Sequence, residues 1–458
     1  MKAFLTRRLI AGAVLTTILA AGAVTCCGQT TSPNKTAASG NAIGTKSALR
    51  PESVVIFPFE NTGHVVQMDW MGEALSELAI ERLAGHGPIV YSREERLAAL
   101  EKLGLPAYSP VSRATMLKIA GEVDADYVVF GEFAPDGQAV RVTARVLGVN
   151  PPKLSQPMME SGEVDSVAQV QARVSWRVLC MIQNSLAATE SCETSSGGAQ
   201  QFLRGSPKVR PDALEFFVRG LHSPDDEGKL RDLRQASQLD PDWDEPIFSI
   251  GQTYYARRDC ESALGWFDRV PASSSHAVEA GFGMGVCQLL RNDPLRAEST
   301  FSTVTLRSGA AASASAANGE SAAILSNLGT ALLRQARYKE ATADYERAEK
   351  SDPGEPDYWF NVGLAHYLMG EWDSAVNALR EVSRLQPDSA DAKNLLVAAL
   401  DHNGDAAEAN ALRSAGATAD ASAQANDLKP KQDVAKLNAT ALAKLARVRM
   451  TMSAGAVR

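Results

Sequence analysis

Few residues in this chain could do chemistry, and none of them is spaced for catalysis. Its six histidines, His64, His86, His222, His276, His366 and His402, include no pair at the spacing of a helical zinc site, and its cysteines form no CxxC. A phosphate loop, a GxSxG elbow and a dinucleotide fingerprint are missing from the sequence. Asp124, Asp126, Glu132 and Asp136 crowd one stretch. Asp124 precedes an expected strand and Asp136 belongs to a turn, so the group reads as structural rather than as a carboxylate pair for acid–base work. What does recur is asparagine, at Asn327 and Asn361, 34 residues apart. A carboxamide both donates and accepts, so two of them one repeat apart can satisfy the unpaired amides of an extended peptide. The chemistry expected is binding, with no enzyme activity, no metal and no cofactor.

The elements that would position these asparagines show in the stretch from Ala322 to Pro387. Offset by 34 residues, Gly329 falls on Gly363, Ala341 on Ala375, Tyr345 on Leu379, Ala348 on Val382 and Pro353 on Pro387. Small residues in fixed places let two helices cross closely, and a proline ends the second, so each unit is a helix-turn-helix. The same register runs upstream through Gly285, Ala297, Phe301 and Val304, and before them through Gly251, Tyr254, Ala263 and Phe267. Gly285 and Gly329 are 44 residues apart, and the surplus falls in the Ala/Ser/Gly-rich run 308–321, expected as an inserted loop. A shorter unit with Gly220, Ala236 and Pro241 precedes these, and a partial one with Leu400 and Ala409 follows. Four clear repeats between two degenerate ends make a solenoid over 211–412. In that register the run Gly281-Phe282-Gly283-Met284-Gly285 lies on a first helix, where its glycines serve close packing rather than a phosphate.

The order small, bulky, small, proline with a 34-residue period resembles the tetratricopeptide (TPR) repeat. The resemblance implies an all-α, right-handed superhelix whose first helices line a concave groove, with an asparagine two positions before the glycine contacting a ligand's backbone. Asn327 and Asn361 hold those positions. Phe360 and Tyr367 would flank Asn361, with Arg334 and Asn394 near it in neighbouring units, and the implied partner is a protein or peptide segment. The same asparagines could instead bond locally between helices.

A different rhythm precedes the repeats. Val54 to Phe57 reads as a buried strand, Trp70 to Leu83 as an amphipathic helix and Ile89 to Tyr91 as a second strand. Ser92 with Glu95 forms a capping box for the next helix, and a further helix, 112–123, follows. Tyr127 to Phe133 then turns at Pro135-Asp136-Gly137 into Val140 to Leu147, a hairpin with one wet face, and a last helix spans 165–182. The fold class expected is thus an α/β N-terminal domain, 51–185, followed after a linker, 186–210, by the all-α solenoid. The strings Ile56-Phe57-Pro58-Phe59-Glu60-Asn61, Gly72-Glu73-Ala74-Leu75, Ala125 to Gly131 and Val140 to Arg145 resemble the TolB amino-terminal-like domain over roughly 53–183, departing from it after Val149 where Pro151-Pro152 stands.

Lys2, Arg7 and Arg8 precede an apolar run, 9–24, of the length of a secretory leader, so 1–25 is expected as a signal peptide or signal anchor and 26–50 as a polar tether. Cys26 and Cys27 sit where a lipoprotein leader would be cut, although neither follows the usual Ala, Gly or Ser; cleavage after Ala23 and an uncleaved anchor are the alternatives. The expected location is the cell envelope, periplasmic side, with membrane association through the N-terminus. Export permits disulfides, for which Cys180 and Cys192 are close in sequence, while Cys260 and Cys287 equally read as buried thiols. A linker, 413–430, leads to an amphipathic helix, 431–453, with apolar Val434, Leu437, Ala441, Leu445, Val448 and Met452 in one stripe. The net charge of -8 excludes a non-specific nucleic-acid binder. Two functions follow: an exported scaffold that grips a protein segment in the repeat groove, or an accessory subunit of an envelope enzyme or secretion complex whose α/β domain takes a small ligand or glycan.

Overall fold

The computed structural model describes residues 51–84, 86–107, 111–187, 192–204, 208–312 and 322–415. The expected signal peptide and tether, Cys26 and Cys27, and the helix expected at 431–453 lie outside the described residues.

β1 (Ser53–Ile56) is buried along its whole length and organises the first part of the chain. It pairs in parallel with β3 (Ile89–Val90) on one side and β4 (Tyr127–Asp136) on the other. Gly137, at φ 62°, turns β4 into the antiparallel β5 (Ala139–Gly148), with Val129 opposite Val146 and Phe133 opposite Val142. β2 (Glu60–Asn61) pairs with β4, and β6 (Lys153–Leu154) and β7 (Met158–Glu163) pair with the two ends of β5. Alternation sends Val54 and Ile56 to one face with α1 (Trp70–Leu83) and α4 (Val167–Gln183). Val55 and Phe57 point to the other face, where α2 (Arg93–Lys102) and α3 (Arg113–Glu122) cover them. The expected capping box is present: Ser92 N–H donates to Glu95 Oε2 at 2.8 Å and Glu95 N–H to Ser92 Oγ at 3.3 Å. On the edge strand β7, alternate carbonyls accept side-chain donors: Met159 from Arg177 Nη1 at 3.2 Å, Ser161 from Arg173 Nη2 at 3.0 Å and Glu163 from Ser166 Oγ at 3.0 Å.

Past α4, a Cys180–Cys192 disulfide (Cα–Cα 5.4 Å) fixes the next segment. There α5 (Gly197–Leu203) lays Phe202 against Trp176 of α4 at 5.6 Å between ring centres. The repeats follow as helix pairs: α6 (Pro211–His222) with α7 (Asp226–Leu239), α8 (Asp244–Ala256) with α9 (Cys260–Phe267), α10 (Ala277–Leu290) with α11 (Pro294–Ala312). Then come α12 (Ala322–Arg334) with α13 (Tyr338–Ser351), α14 (Pro356–Met369) with α15 (Trp372–Leu385) and α16 (Ala390–Asn403) with α17 (Ala406–Ala415). α11 continues through 308–312, inside the stretch expected as a loop, because alanine is the best helix former. Among the described residues no helix is long and apolar enough to cross a membrane.

Two features recur in every central unit. Sixteen residues beyond the glycine of the first helix, a bulky residue of the second packs onto it. An added Cβ would stand 2.6 Å from Phe267 at Gly251, 2.6 Å from Phe301 at Gly285, 2.8 Å from Tyr345 at Gly329 and 2.8 Å from Leu379 at Gly363. Beside each contact, Ala263, Ala297, Ala341 and Ala375 are fully buried. Seven residues beyond the same position the turn is left-handed, at Arg258, Asn292, Ala336, Gly370 and Gly404 (φ 58–88°). Each second helix packs on its own first helix and on that of the next unit, and first helices also touch in succession, α8 to α10, α10 to α12, α12 to α14 and α14 to α16. That closer approach places the first helices on the inner side of the stack.

Candidate functional site

The inner face of the later repeats holds the residues singled out by sequence. Asn327 is fully buried in α12, and Asn361 is 4 % exposed in α14. Asn361 Nδ2 donates to Ser326 Oγ at 3.1 Å, so the structure brings Asn361 beside the neighbour of Asn327, one unit away. Below them Thr330 Oγ1 and the Tyr345 hydroxyl are 3.0 Å apart, a polar pair sealed by the glycine contact, and burial pushes the Tyr345 phenol well up. Phe360 is fully buried in the core shared by α12 to α17. Tyr367 is 7 % exposed, its ring 5.2 Å from Trp372 and 5.9 Å from His402.

Arg334 turns away from the asparagines. Its Nη1 donates to the carbonyl of Leu289 near the end of α10, a favourable place for a cation, and burial lowers its pKa. Its neighbour Arg337 pairs with Glu298 at 2.7 Å and with Glu340 at 2.5 Å. Asn394 is exposed on α16. Four of the six residues are therefore packed inside the stack, one ties two units together, and one faces solvent. Among the described residues no group of histidine, cysteine, aspartate or glutamate could hold a metal ion. The acidic string divides as its local structure requires: Asp126 Oδ2 accepts from Ser53 N–H at 2.9 Å, at the start of β1.

Sequence reasoning passed over a second polar centre, on α1. Glu73, 5 % exposed, accepts from Arg93 Nε at 3.0 Å and from Arg96, which is 2 % exposed and donates also to the Ile56 carbonyl at 2.7 Å. Arg93 Nη2 reaches the Leu221 carbonyl of α6 at 3.1 Å, joining the α/β part to the first repeat. Burial would raise the Glu73 pKa, but Arg96, Arg93 and His222 outweigh it and hold it below the usual value. The available signal was a glutamate at every fourth position of a mostly apolar helix, Glu73, Glu77 and Glu81.

Comparison with known proteins bears on the repeats. No curated protein matches the chain in sequence. Among solved structures it is similar to YrrB, described as a TPR protein with an unusual peptide-binding site, at 19% identity and TM-score 0.36, over 43% of this chain and 98% of that one. It is also similar to MamA, at 19% identity and TM-score 0.33 over 37% and 88%, and to MamA from Desulfovibrio magneticus RS-1, at 20% and 0.34 over 39% and 95%. Residues 326–370 and 363–424 match the model of the tetratricopeptide repeat family. The chain is thus an α/β part followed by a run of helix pairs, of which residues 326–424 match tetratricopeptide repeats.

Proposed function

We propose that this protein is a non-enzymatic, exported scaffold of the cell envelope that holds a protein segment against the inner face of its repeats. The observation that carries the reading is the unbroken succession of first helices from α8 to α16, kept in register by the glycine contact and the left-handed turn. Such a face accepts an extended or helical segment without any catalytic group. Lys2, Arg7, Arg8 and the apolar run after them support export, as does the Cys180–Cys192 bond, since disulfides persist in oxidising compartments. Cys26 or Cys27 would carry a lipid anchor. The strings that resemble the TolB amino-terminal-like domain support an α/β module placed between the membrane and the repeats.

The competing reading gives the α/β part a small ligand or glycan. The cavity where that part meets the repeats measures only about 60 Å³, but a hollow beside α2, lined by Leu97, Glu101, Leu105 and Pro106, measures about 580 Å³, within the roughly 300–1,000 Å³ of ligand sites, and it is the observation that favours this second reading.

The test is affinity capture from envelope extracts by the full chain, with the captured protein then titrated as pure components. Asn394, exposed on α16, is the expected groove residue that a partner reaches directly, so Asn394→Ala should weaken binding by about 0.5–1.5 kcal/mol, whereas the double change Asn327→Ala, Asn361→Ala, at carboxamides buried in the stack, should act through the packing of the repeats. Circular dichroism must show each variant folded. Unchanged affinity in a folded Asn394→Ala variant would move the partner surface to the α/β part or the C-terminal segment, and intact protein in the cytosol would refute export.

A further inference from the structure

α1 is the element through which the α/β part sits on the repeats, and one hydrophobic core passes through it from Val54 and Ile56 into Leu214, Phe217 and Trp243. Glu73, Glu77 and Glu81 stand one turn apart along the helix, a row of three carboxyls, and they are unequally matched. Glu73 has Arg93 and Arg96. Glu77 has Oε1 buried with no hydrogen-bond partner, among Glu73 on its own helix and Glu94, Arg93 and Arg96 of α2. Glu81 faces Glu245 and Asp244 at the start of α8 and His276 in the turn before α10, with Arg82 on its own helix. Across from it, His276 Nε2 and Glu245 Oε2 are 2.5 Å apart, and the His276 ring stacks on Phe248 at 4.3 Å. Glu279 of α10 also buries an oxygen, Oε2, with no partner. The cavity of about 60 Å³ lies in this contact, lined by Glu77, Glu81, Glu245, His276, Phe217 and Trp243, and the indole N–H of Trp243 makes no hydrogen bond.

Two glutamates of the row thus meet other carboxylates at the contact, and Glu77 keeps one buried oxygen without a hydrogen-bond partner although Arg93, Arg96, Arg82 and His276 stand nearby. We propose that this junction is a proton-held latch: Glu77 and Glu81 stay as neutral acids while α1 is seated on the first repeats, and their ionisation unseats it. The proposal is independent of what the repeats bind.

The charge balance at each group gives the direction. Burial, then Glu245, pushes Glu81 up to about 8; burial and Glu73 push Glu77 well up; burial raises Glu279 to about 7. The seated state therefore holds protons that the unseated state releases. Its advantage is complete below the ordinary value of 4.5 and is lost as pH rises through about 7 to 8. His276 acts in the same sense: burial opposes its charge, but Glu245, Glu279 and Glu81 prevail and raise it to about 10. Against the latch stand Glu73, held down by its arginines, and His222 and Lys229, whose charged forms burial disfavours; these favour seating as pH rises.

The test is hydrogen exchange of the full chain between about pH 6 and about pH 9, corrected for the intrinsic pH dependence of exchange. Protection of α1 and α6 should fall at least about tenfold, one pKa unit's worth, while α14 keeps its protection. In the double variant Glu77→Gln, Glu81→Gln, the fall in protection should shrink to the share that Glu279 and His276 contribute. Level protection of α1 and α6 in the wild type overturns the latch, as does a double variant that loses protection as the wild type does. If the double variant does not fold, the wild-type profile and Glu81→Gln alone decide in the same way.

Discussion

The carboxamide of Asn361 donates to the hydroxyl of Ser326 across 3.1 Å, a buried bond that joins the first helices of two successive repeats. A residue type expected to reach a peptide's backbone thus also spaces α12 from α14.

Asn361→Ala should therefore lower stability by about 1–3 kcal/mol, the cost of removing one partner from a buried hydrogen bond. Urea denaturation measures it, and an unchanged midpoint would leave the bond without structural weight.

Gly329 and Ala341 test the packing that sets the register. A methyl group on Gly329 would stand 2.8 Å from the Tyr345 ring and 3.1 Å from the Ala341 carbonyl. Gly329→Ala and Ala341→Leu should each cost about 1–3 kcal/mol through overpacking. Because repeats lean mainly on their neighbours, exchange in β4 and β5 should not change.

The left-handed turns predict opposite signs at equivalent positions. Ala336 adopts φ 58° and Gly370 φ 78°. Ala336→Gly removes strain and should raise the thermal midpoint slightly, since the gain is partly offset by a more flexible unfolded chain. Gly370→Ala should cost about 1–2 kcal/mol. Equal effects at both sites would mean that the turns are not equivalent.

These turns mark the boundary of what the sequence made legible. The glycine and alanine register showed because the same residue types recur 34 residues apart, and the helix pairs follow it. Arg258, Asn292, Ala336, Gly370 and Gly404 share one backbone conformation but little chemistry, so no pattern of side chains announced it. β7 was passed over because Met158-Met159-Glu160-Ser161-Gly162-Glu163 lacks the alternation of a half-buried strand. The glutamates of α1 drew no reading of their own, since only the packing of α6 against the helix buries them. In the groove, periodicity could assign Asn327, Asn361 and Phe360 to first helices. It could not tell that these side chains lie in the contacts between units, because a first helix in a tight stack is buried on nearly every side.

The Glu73 pair gives an acid limb to stability. With its pKa held below 4.5 by Arg96 and Arg93 against the effect of burial, its contribution is present above about pH 4.5 and lost as pH falls through the depressed value. Glu73→Gln leaves two buried arginines without their counter-charge and should cost about 3–5 kcal/mol near neutral pH. The difference from wild type should shrink in acid, and a constant difference down to about pH 3 would contradict the assignment.

Cys192→Ser should cost about 2–4 kcal/mol in oxidising buffer, the range for a disulfide closing a short loop. Added reductant should bring the wild type down to the variant and leave the variant where it was. A wild type indifferent to reductant would show that the bond does not contribute.

The arginines along β7 have a consequence for how this protein can gather others. A bare strand edge is a template, since any extended chain can copy its hydrogen bonds and the added strand offers a new edge in turn. Arg173, Arg177 and Ser166 already occupy alternate carbonyls of β7, and the guanidinium groups add a charge barrier to a second strand. That edge of the sheet is thereby closed to growth, whether by a partner or by another copy of the chain. Strand addition is barred at β7, whereas chains docked on the helical half would be limited in number by the repeats rather than left open-ended.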